Sequence, residues 1–153
     1  PAIVLVTGTR GFETVDSAGH VLAGTARNQV WKAGMQRTID QIKALTKNVI
    51  LMADTPLSAV DPPVCLSSHP TSVLACATSV SNAIDQAWLA QEKSIASTEK
   101  VGFIDPEWWV CPSTPCPVVI SNFLVYQDGG HLTATFATSL ATPLGNAITA
   151  ALR

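Results

Sequence analysis

Charge is what this sequence has least of. Charged side chains make up 13% of its 153 residues, about half the usual quarter. Nine basic groups stand against eleven acidic ones, a formal net charge of −2. No basic stripe or cluster gathers anywhere, which argues against nucleic acid as a partner. Long apolar runs are missing too, and none reaches the roughly 18 residues that a membrane span needs. The basic and apolar regions of a signal peptide do not open the sequence, and no internal repeat or low-complexity tract occurs. Apolar content, by contrast, is ordinary at 47%. With that much to bury, disorder is excluded, and the length suits one domain with a real core.

The chain opens abruptly in a β-branched run, Pro1-Ala2-Ile3-Val4-Leu5-Val6. It reads as the C-terminal portion of a longer domain, with residues 1–153 forming the end of a single unit. The four cysteines fall in two close pairs, Cys65 with Cys76 and Cys111 with Cys116. Prolines restrict the Cys111-Pro112-Ser113-Thr114-Pro115-Cys116 loop, so its ends can meet within the roughly 5.5 Å that a disulfide requires. The spacing is too wide for a redox Cys-x-x-Cys, and zinc knuckles favour tighter pairs with basic residues or histidines nearby. Two local disulfides are the expectation, with a four-cysteine metal site and buried thiols as alternatives. Disulfides would place the chain in an oxidising, extracytoplasmic compartment.

Ile3–Val6 and Asn48–Ala53 are continuous apolar runs that suit strands covered on both faces, as in a parallel sheet, and Val101–Ile104 makes a third strand. Between the first two, Trp31, Met35, Ile39, Ile42 and Leu45 recur at helical spacing, with Lys32, Gln36, Arg37, Asp40 and Lys43 on the other face. A second helix is predicted over 78–97, with Val80, Ile84, Ala87, Trp88 and Ile95 inward. A last helix carries Phe136, Leu140, Leu144 and Ile148, with Pro143 kinking it or restarting it from Thr142 as cap. The pattern is βαβαβ plus a closing helix, hence a three-layer α/β/α sandwich with a parallel sheet. Residues 10–29 and 56–70 read as long loops, the second leaving the C-terminal end of a strand, where α/β proteins place their sites.

From Trp108 to Leu152 the only acid or base groups, cysteines and one tyrosine aside, are Asp128 and His131. They sit in Tyr126-Gln127-Asp128-Gly129-Gly130-His131-Leu132-Thr133, where two glycines let the carboxylate fold back toward the imidazole. An Asp three residues before a His can orient one ring nitrogen and stabilise the imidazolium, leaving the other nitrogen as general base. A bare D-x-x-H is more often an ordinary turn; here it is the one charged spot in an apolar stretch, opening the last helix. His20, four residues after Asp16, and His69 read as solvated loop residues. Asp54 and Asp105 each follow an apolar strand and suit capping or amide binding. Trp108-Trp109 is either a sugar-stacking platform or a split pair, one ring on the core and one over a disulfide.

Asp128-Gly129-Gly130-His131-Leu132-Thr133 before a terminal amphipathic helix resembles the last block of the SGNH/GDSL hydrolase superfamily. The closer likeness is to SGNH domains fused to membrane acyltransferases of the acyltransferase-3 family. It is carried by the Trp31–Leu45 helix, Ala53-Asp54-Thr55-Pro56, Cys65 and Cys76, Phe103-Ile104-Asp105-Pro106, Cys111 and Cys116, and Asp128–Thr133, in that order. The resemblance implies a flavodoxin-like SGNH fold in which Asp128 and His131 complete a Ser-His-Asp triad. It implies O-acyl transfer or ester hydrolysis on a cell-envelope glycan, with no metal or organic cofactor. The family's Gly-Asp-Ser block is absent; Asp16-Ser17 lacks the preceding Gly and lies about ten residues beyond its strand. After Val6 the sequence reads Thr7-Gly8-Thr9-Arg10-Gly11 where the family has Gly-x-Asn-Asp, so Gly8, Thr9 and Arg10 are the candidates for oxyanion or substrate contact. A plain turn there is the alternative.

The expected partners are therefore an upstream fragment of the same domain carrying the first strands and the nucleophilic Ser, a membrane acyltransferase domain that tethers it, and a glycan acceptor. The rival expectation is a non-catalytic extracellular module that binds glycan or protein.

Overall fold

The structure, a computed structural model, describes residues 2–153; Pro1, which opens the first apolar run, lies outside the described residues. The chain forms two compact units, residues 1–54 with 87–104 and 150–153, and residues 55–86 with 105–149.

In the first unit the three apolar runs become strands β1 (Val4–Thr7), β2 (Val49–Met52) and β3 (Gly102–Ile104), in the order β1-β2-β3. All pairings are parallel, with Val4 opposite Val49 and Leu51 opposite Phe103. Only β2 is covered on both faces: Val49, Ile50 and Leu51 are buried, whereas Leu5 of β1 stays 38% exposed. The expectation of two covered faces thus fails at β1, an edge strand of this sheet. Helix α1 (Gly24–Lys43) and helix α4 (Gln86–Glu99) cover one face, through a cluster of Ile39, Val49, Leu51, Ile95 and Ala96 with Trp31 and Met35 against it. Each fully buried Ile or Leu there contributes about 2 kcal/mol. On the other face Gly102 lies against Ala151, at the end of helix α7 (Ala141–Ala151). A parallel sheet with helices packed on it gives the α/β class that the run pattern predicts.

Several boundaries differ from the sequence reading. Helix α1 begins at Gly24, inside the expected 10–29 loop, and ends at Lys43, so Leu45 lies beyond it and is 80% exposed. The helix predicted over 78–97 is two, α3 (Val80–Ala83) and α4, because Ile84 takes an extended conformation. Ala87, expected inward, is exposed. Helix α4 stops at Lys100, whose φ of 53° turns the chain left-handed while Val101 N–H reaches the Ala96 carbonyl at 3.0 Å. That closure satisfies helix-end carbonyls and points the chain into β3.

The second unit is built on short elements. Asp61 caps α2 (Pro62–Ser68), accepting the Val64 N–H at 3.1 Å, and prolines fill its first turn, where a missing N–H costs nothing. A 3₁₀ turn (Val73–Cys76), α3 and α5 (Glu107–Val110) follow in sequence. Strands β4 (Val119–Ile120) and β5 (Phe123–Leu124) form a hairpin the sequence reading missed, joined by Ser121 and Asn122 at φ 49° and 67°. Two left-handed residues match the twist of a tight hairpin, and Asn tolerates that conformation. Thr133 caps α6 (Ala134–Ser139) by accepting the Phe136 N–H. The last helix does divide, but at Leu140, with α7 restarting at Ala141; Pro143 sits inside its first turn and Thr142 is not the cap.

A Cβ on Gly102 would stand 2.5 Å from the Ala151 carbonyl oxygen and 3.0 Å from its Cβ, whereas one on Gly145 would meet open space within α7. Gly102→Ala is expected to destabilise the fold by about 1–3 kcal/mol, and Gly145→Ala to stabilise it by about 0.5–1 kcal/mol. Urea unfolding midpoints of the two variants should move in opposite directions.

Candidate functional site

The turn after β5 is closed from several sides. Tyr126 and Leu132 bridge as an antiparallel pair, and the Gln127 N–H donates to the His131 carbonyl at 2.9 Å. Tyr126 is buried, and its hydroxyl donates to the Pro56 carbonyl at 2.9 Å; burial pushes the phenol above its ordinary range. The Gly129 carbonyl accepts the Ser58 N–H at 2.9 Å, and a Cβ on Gly129 would stand 3.4 Å from the Ser58 carbonyl oxygen. The glycine therefore allows two strands of backbone to approach.

Inside the turn one carboxylate does three things. Asp128 Oδ1 accepts the Gly130 and His131 N–H groups, both at 2.8 Å, and Oδ2 meets His131 Nδ1 at 2.8 Å. The two amides and then the imidazole hold the carboxyl at about 2, well below the usual range. An ionised carboxylate only accepts, so the proton between them belongs to Nδ1, and Nε2 is left with a free lone pair. The pair can therefore orient and support a general base. His131 is open to solvent, with 77% of its side chain exposed, and Asp128 shows 44%. Among the described residues no hydroxyl is hydrogen-bonded to His131.

Asp16 and His20 repeat the arrangement in the first unit. Asp16 Oδ1 accepts the His20 N–H at 2.9 Å, Oδ2 meets His20 Nδ1 at 3.1 Å, and that ring is 79% exposed. The clasp is thus a local property of an Asp placed three or four residues before a His. Nothing in the hydrogen bonding alone separates the two pairs.

Gly8, Thr9 and Arg10 follow β1 in the first unit and are half-buried. Gly8 is packed tightly: a Cβ there would lie 3.1 Å from Met35 Cε and 3.2 Å from Trp31 Cζ2. The Arg10 N–H donates to Asp54 Oδ2 at 3.2 Å, and Arg27 donates to the Arg10 carbonyl. Arg27 also lies 5.2 Å from the centre of the Trp88 ring, which packs on Trp31. Beneath Asp54 is Glu92, 1% exposed, whose Oε2 accepts the Asp54 N–H at 3.4 Å. Burial first, and the Asp54 charge further down, push Glu92 up to about 7. The sequence reading missed Glu92, although its place four residues after Trp88 and four before Ala96 puts it on the inward stripe of α4.

Among the other candidates, Asp54 and Asp105 bind loop and helix-start amides as expected, Asp105 accepting from the Glu107 N–H at 2.9 Å. Trp109 is buried and Trp108 66% exposed, a split pair in edge contact. His69 closes α2, its Nδ1 bonding the Cys65 carbonyl at 2.9 Å. The cysteines form the two local disulfides, Cys65–Cys76 and Cys111–Cys116, with Cα separations of 5.8 and 4.5 Å. Cys65, His69 and Cys76 lie close together, but sulfurs joined to each other offer no thiolate to a metal.

Residues 3–145 match the family described as SGNH domain (fused to AT3 domains). The chain is also similar in fold to the periplasmic domain of a lipopolysaccharide acetyltransferase from Salmonella ser. Paratyphi A, with a TM-score of 0.70 and 18% identity. That likeness covers 97% of this chain and 57% of the other. No curated protein sequence matches the chain.

Because amides contribute most to lowering Asp128, His131→Ala should leave its carboxyl well below the ordinary range, read by carbon NMR of the carboxyl group. The sign for stability follows: Asp128 favours folding above its unfolded value of 3.8, and that contribution is lost as pH falls toward about 2. Glu92 acts oppositely, since the folded chain binds its proton more tightly. Relative to Glu92→Gln, the wild type should lose stability as pH rises from about 4.5 to about 7, measured by chemical unfolding across that range.

Proposed function

The chain belongs to the family of SGNH domains fused to AT3 domains, and on that premise we propose that Asp128 and His131 are the Asp and His of a Ser-His-Asp triad whose serine lies outside these residues, His131 serving as base and then acid and Asp128 holding its ring. The observation that carries this reading is a clasp held in an anchored turn: Asp128 holds Nδ1 and leaves Nε2 open, while Tyr126 on Pro56 and Gly129 on Ser58 fix the turn. A serine Oγ from the upstream segment attacks the acyl carbonyl while His131 Nε2 takes its proton. Gly8, Thr9 and Arg10 are the candidates for oxyanion or substrate contact, Arg10 through its side chain, since its N–H is held by Asp54. Collapse expels the donor's oxygen, which leaves with the proton from His131, and the acyl group stays on serine. A sugar hydroxyl, activated by the same Nε2, then takes the acyl group; water in its place gives hydrolysis. No step requires a metal or an organic cofactor.

In this reading the domain transfers O-acyl groups to a glycan of the cell envelope. It works outside the cytoplasm, tethered by a membrane acyltransferase domain in the full-length protein. Two disulfides suit that compartment. The solvent-open side of His131 is where the nucleophile-bearing segment would come in.

The same exposure, together with the missing serine block, favours a second reading, a non-catalytic extracellular module that binds glycan or protein. A serine-directed phosphonate on the full-length protein separates them. Labelling that survives His20→Ala and is lost in His131→Ala supports the enzyme; absence of labelling in the intact wild type supports the module. If the triad operates, Asp128→Asn should lower the rate of ester cleavage about 10³-fold or more, because the imidazole loses its tautomer control.

A further inference from the structure

Glu92 is the only carboxyl fully buried among the described residues, and the triad reading gives it no task. Its surroundings are unusual for an acid. It lies on the stripe of α4 that carries Trp88, Ile95 and Ala96 into the core, where a carboxylate is costly unless its oxygens are satisfied. The charged groups facing it from neighbouring elements are Asp54, at the end of β2, and Arg10, after β1.

The hydrogen bonds run in one direction, from the core to the loop after β1. Glu92 Oε2 accepts the Asp54 N–H at 3.4 Å, and Asp54 Oδ2 accepts the Arg10 N–H at 3.2 Å. The Arg10 carbonyl accepts from Arg27, which also reaches the Phe12 carbonyl at 3.4 Å. The loop's start is held independently, since Gly8 rests on Trp31 and Met35. Arg10 is therefore the point at which the loop depends on Asp54, and Asp54 is the point at which Glu92 touches it.

We propose that Glu92 is a positioning residue that, acting through Asp54, sets where the Gly8–Arg10 backbone stands. As the neutral acid it accepts the Asp54 amide without opposing the Asp54 carboxylate. Once ionised it grips the Asp54 amide more strongly, repels the Asp54 carboxylate and draws the Arg10 charge toward itself, so Arg10 is pulled between two carboxylates and its link to Asp54 loosens. Burial pushes the Glu92 carboxyl up to about 7, so this change falls within an ordinary working range of pH. That the loop serves an oxyanion rests on the triad reading of the preceding section; that Glu92 holds the loop does not.

The test compares full-length wild type with Glu92→Gln, a neutral isostere that keeps an acceptor, and with Asp54→Asn, which keeps the Asp54 amide but removes the charge that Glu92 opposes. Hydrogen–deuterium exchange of the peptide spanning residues 7–12 is read on either side of about pH 7. Normalised to Glu92→Gln at each pH, the wild-type peptide should exchange equally below that value and at least about threefold faster above it. Asp54→Asn should abolish the difference. Equal exchange of wild type and Glu92→Gln on both sides overturns the proposal, as does a pH response that persists in Glu92→Gln. Hydrolysis of p-nitrophenyl acetate is the second readout: kcat should fall about tenfold above the transition in wild type but not in Glu92→Gln, with KM little changed. Exchange that follows Glu92 while kcat does not would support the positioning role and overturn the loop's place in the active site.

Discussion

One carboxylate holding three hydrogens organises the turn on which the proposed chemistry depends. Asp128 accepts two backbone amides and the imidazole Nδ1 within a span of four residues. Each charge-assisted bond lowers the freedom of the others, since the amides fix the carboxylate and the carboxylate fixes the ring. Buried neighbours then fix the turn in its unit, through the Tyr126 hydroxyl on Pro56 and the Gly129 carbonyl on Ser58. A ring so held keeps one tautomer, which a base needs before any nucleophile arrives.

The pair at Asp16 and His20 shows what that local geometry does not decide. Both clasps have the same bonds and both rings are mostly exposed. The difference lies in what surrounds them. The 126–132 turn is anchored to a buried tyrosine and opens a capped helix, whereas Asp16 and His20 sit in a loop closed by the Val15–Val21 bridge. The family match over residues 3–145 spans both pairs, so it is the anchoring of the turn that sets Asp128 and His131 apart.

In the first unit the constraint comes from burial. Parallel strands bring the segments after β1 and β2 to the same end of the sheet, so Arg10 and Asp54 meet although they are 44 residues apart. Helix α4 then brings an acid beneath them, on a stripe that is otherwise apolar. A buried carboxyl has few ways to be satisfied, and here its partners are the Asp54 amide and the Trp88 side chain. The aromatic pair Trp31 and Trp88 completes the support by stacking under Gly8 and Arg27.

Features with short sequence separation were legible before the structure. The three strands follow from short apolar segments, the Asp128–His131 clasp from two glycines between the partners, and the Cys111–Cys116 closure from a proline-restricted loop. In each, the interacting groups are near neighbours and few conformations compete. The stop of α1 before Leu45, the break at Ile84 and the Ser121-Asn122 hairpin were not read, because weak local preferences leave such boundaries to packing. Helical periodicity placed Trp88 and Ile95 inward but misplaced Ala87, and it passed over Glu92 because an acid on that stripe looks like a surface residue. By itself, then, the sequence determined the strands, the clasp and the local cystines. Only the tertiary structure decided that Glu92 would be buried, that Asp54 would hold Arg10, and that β1 would remain exposed at Leu5. The reason is that these outcomes depend on which distant surfaces exclude water from one another, and no spacing along the chain encodes that.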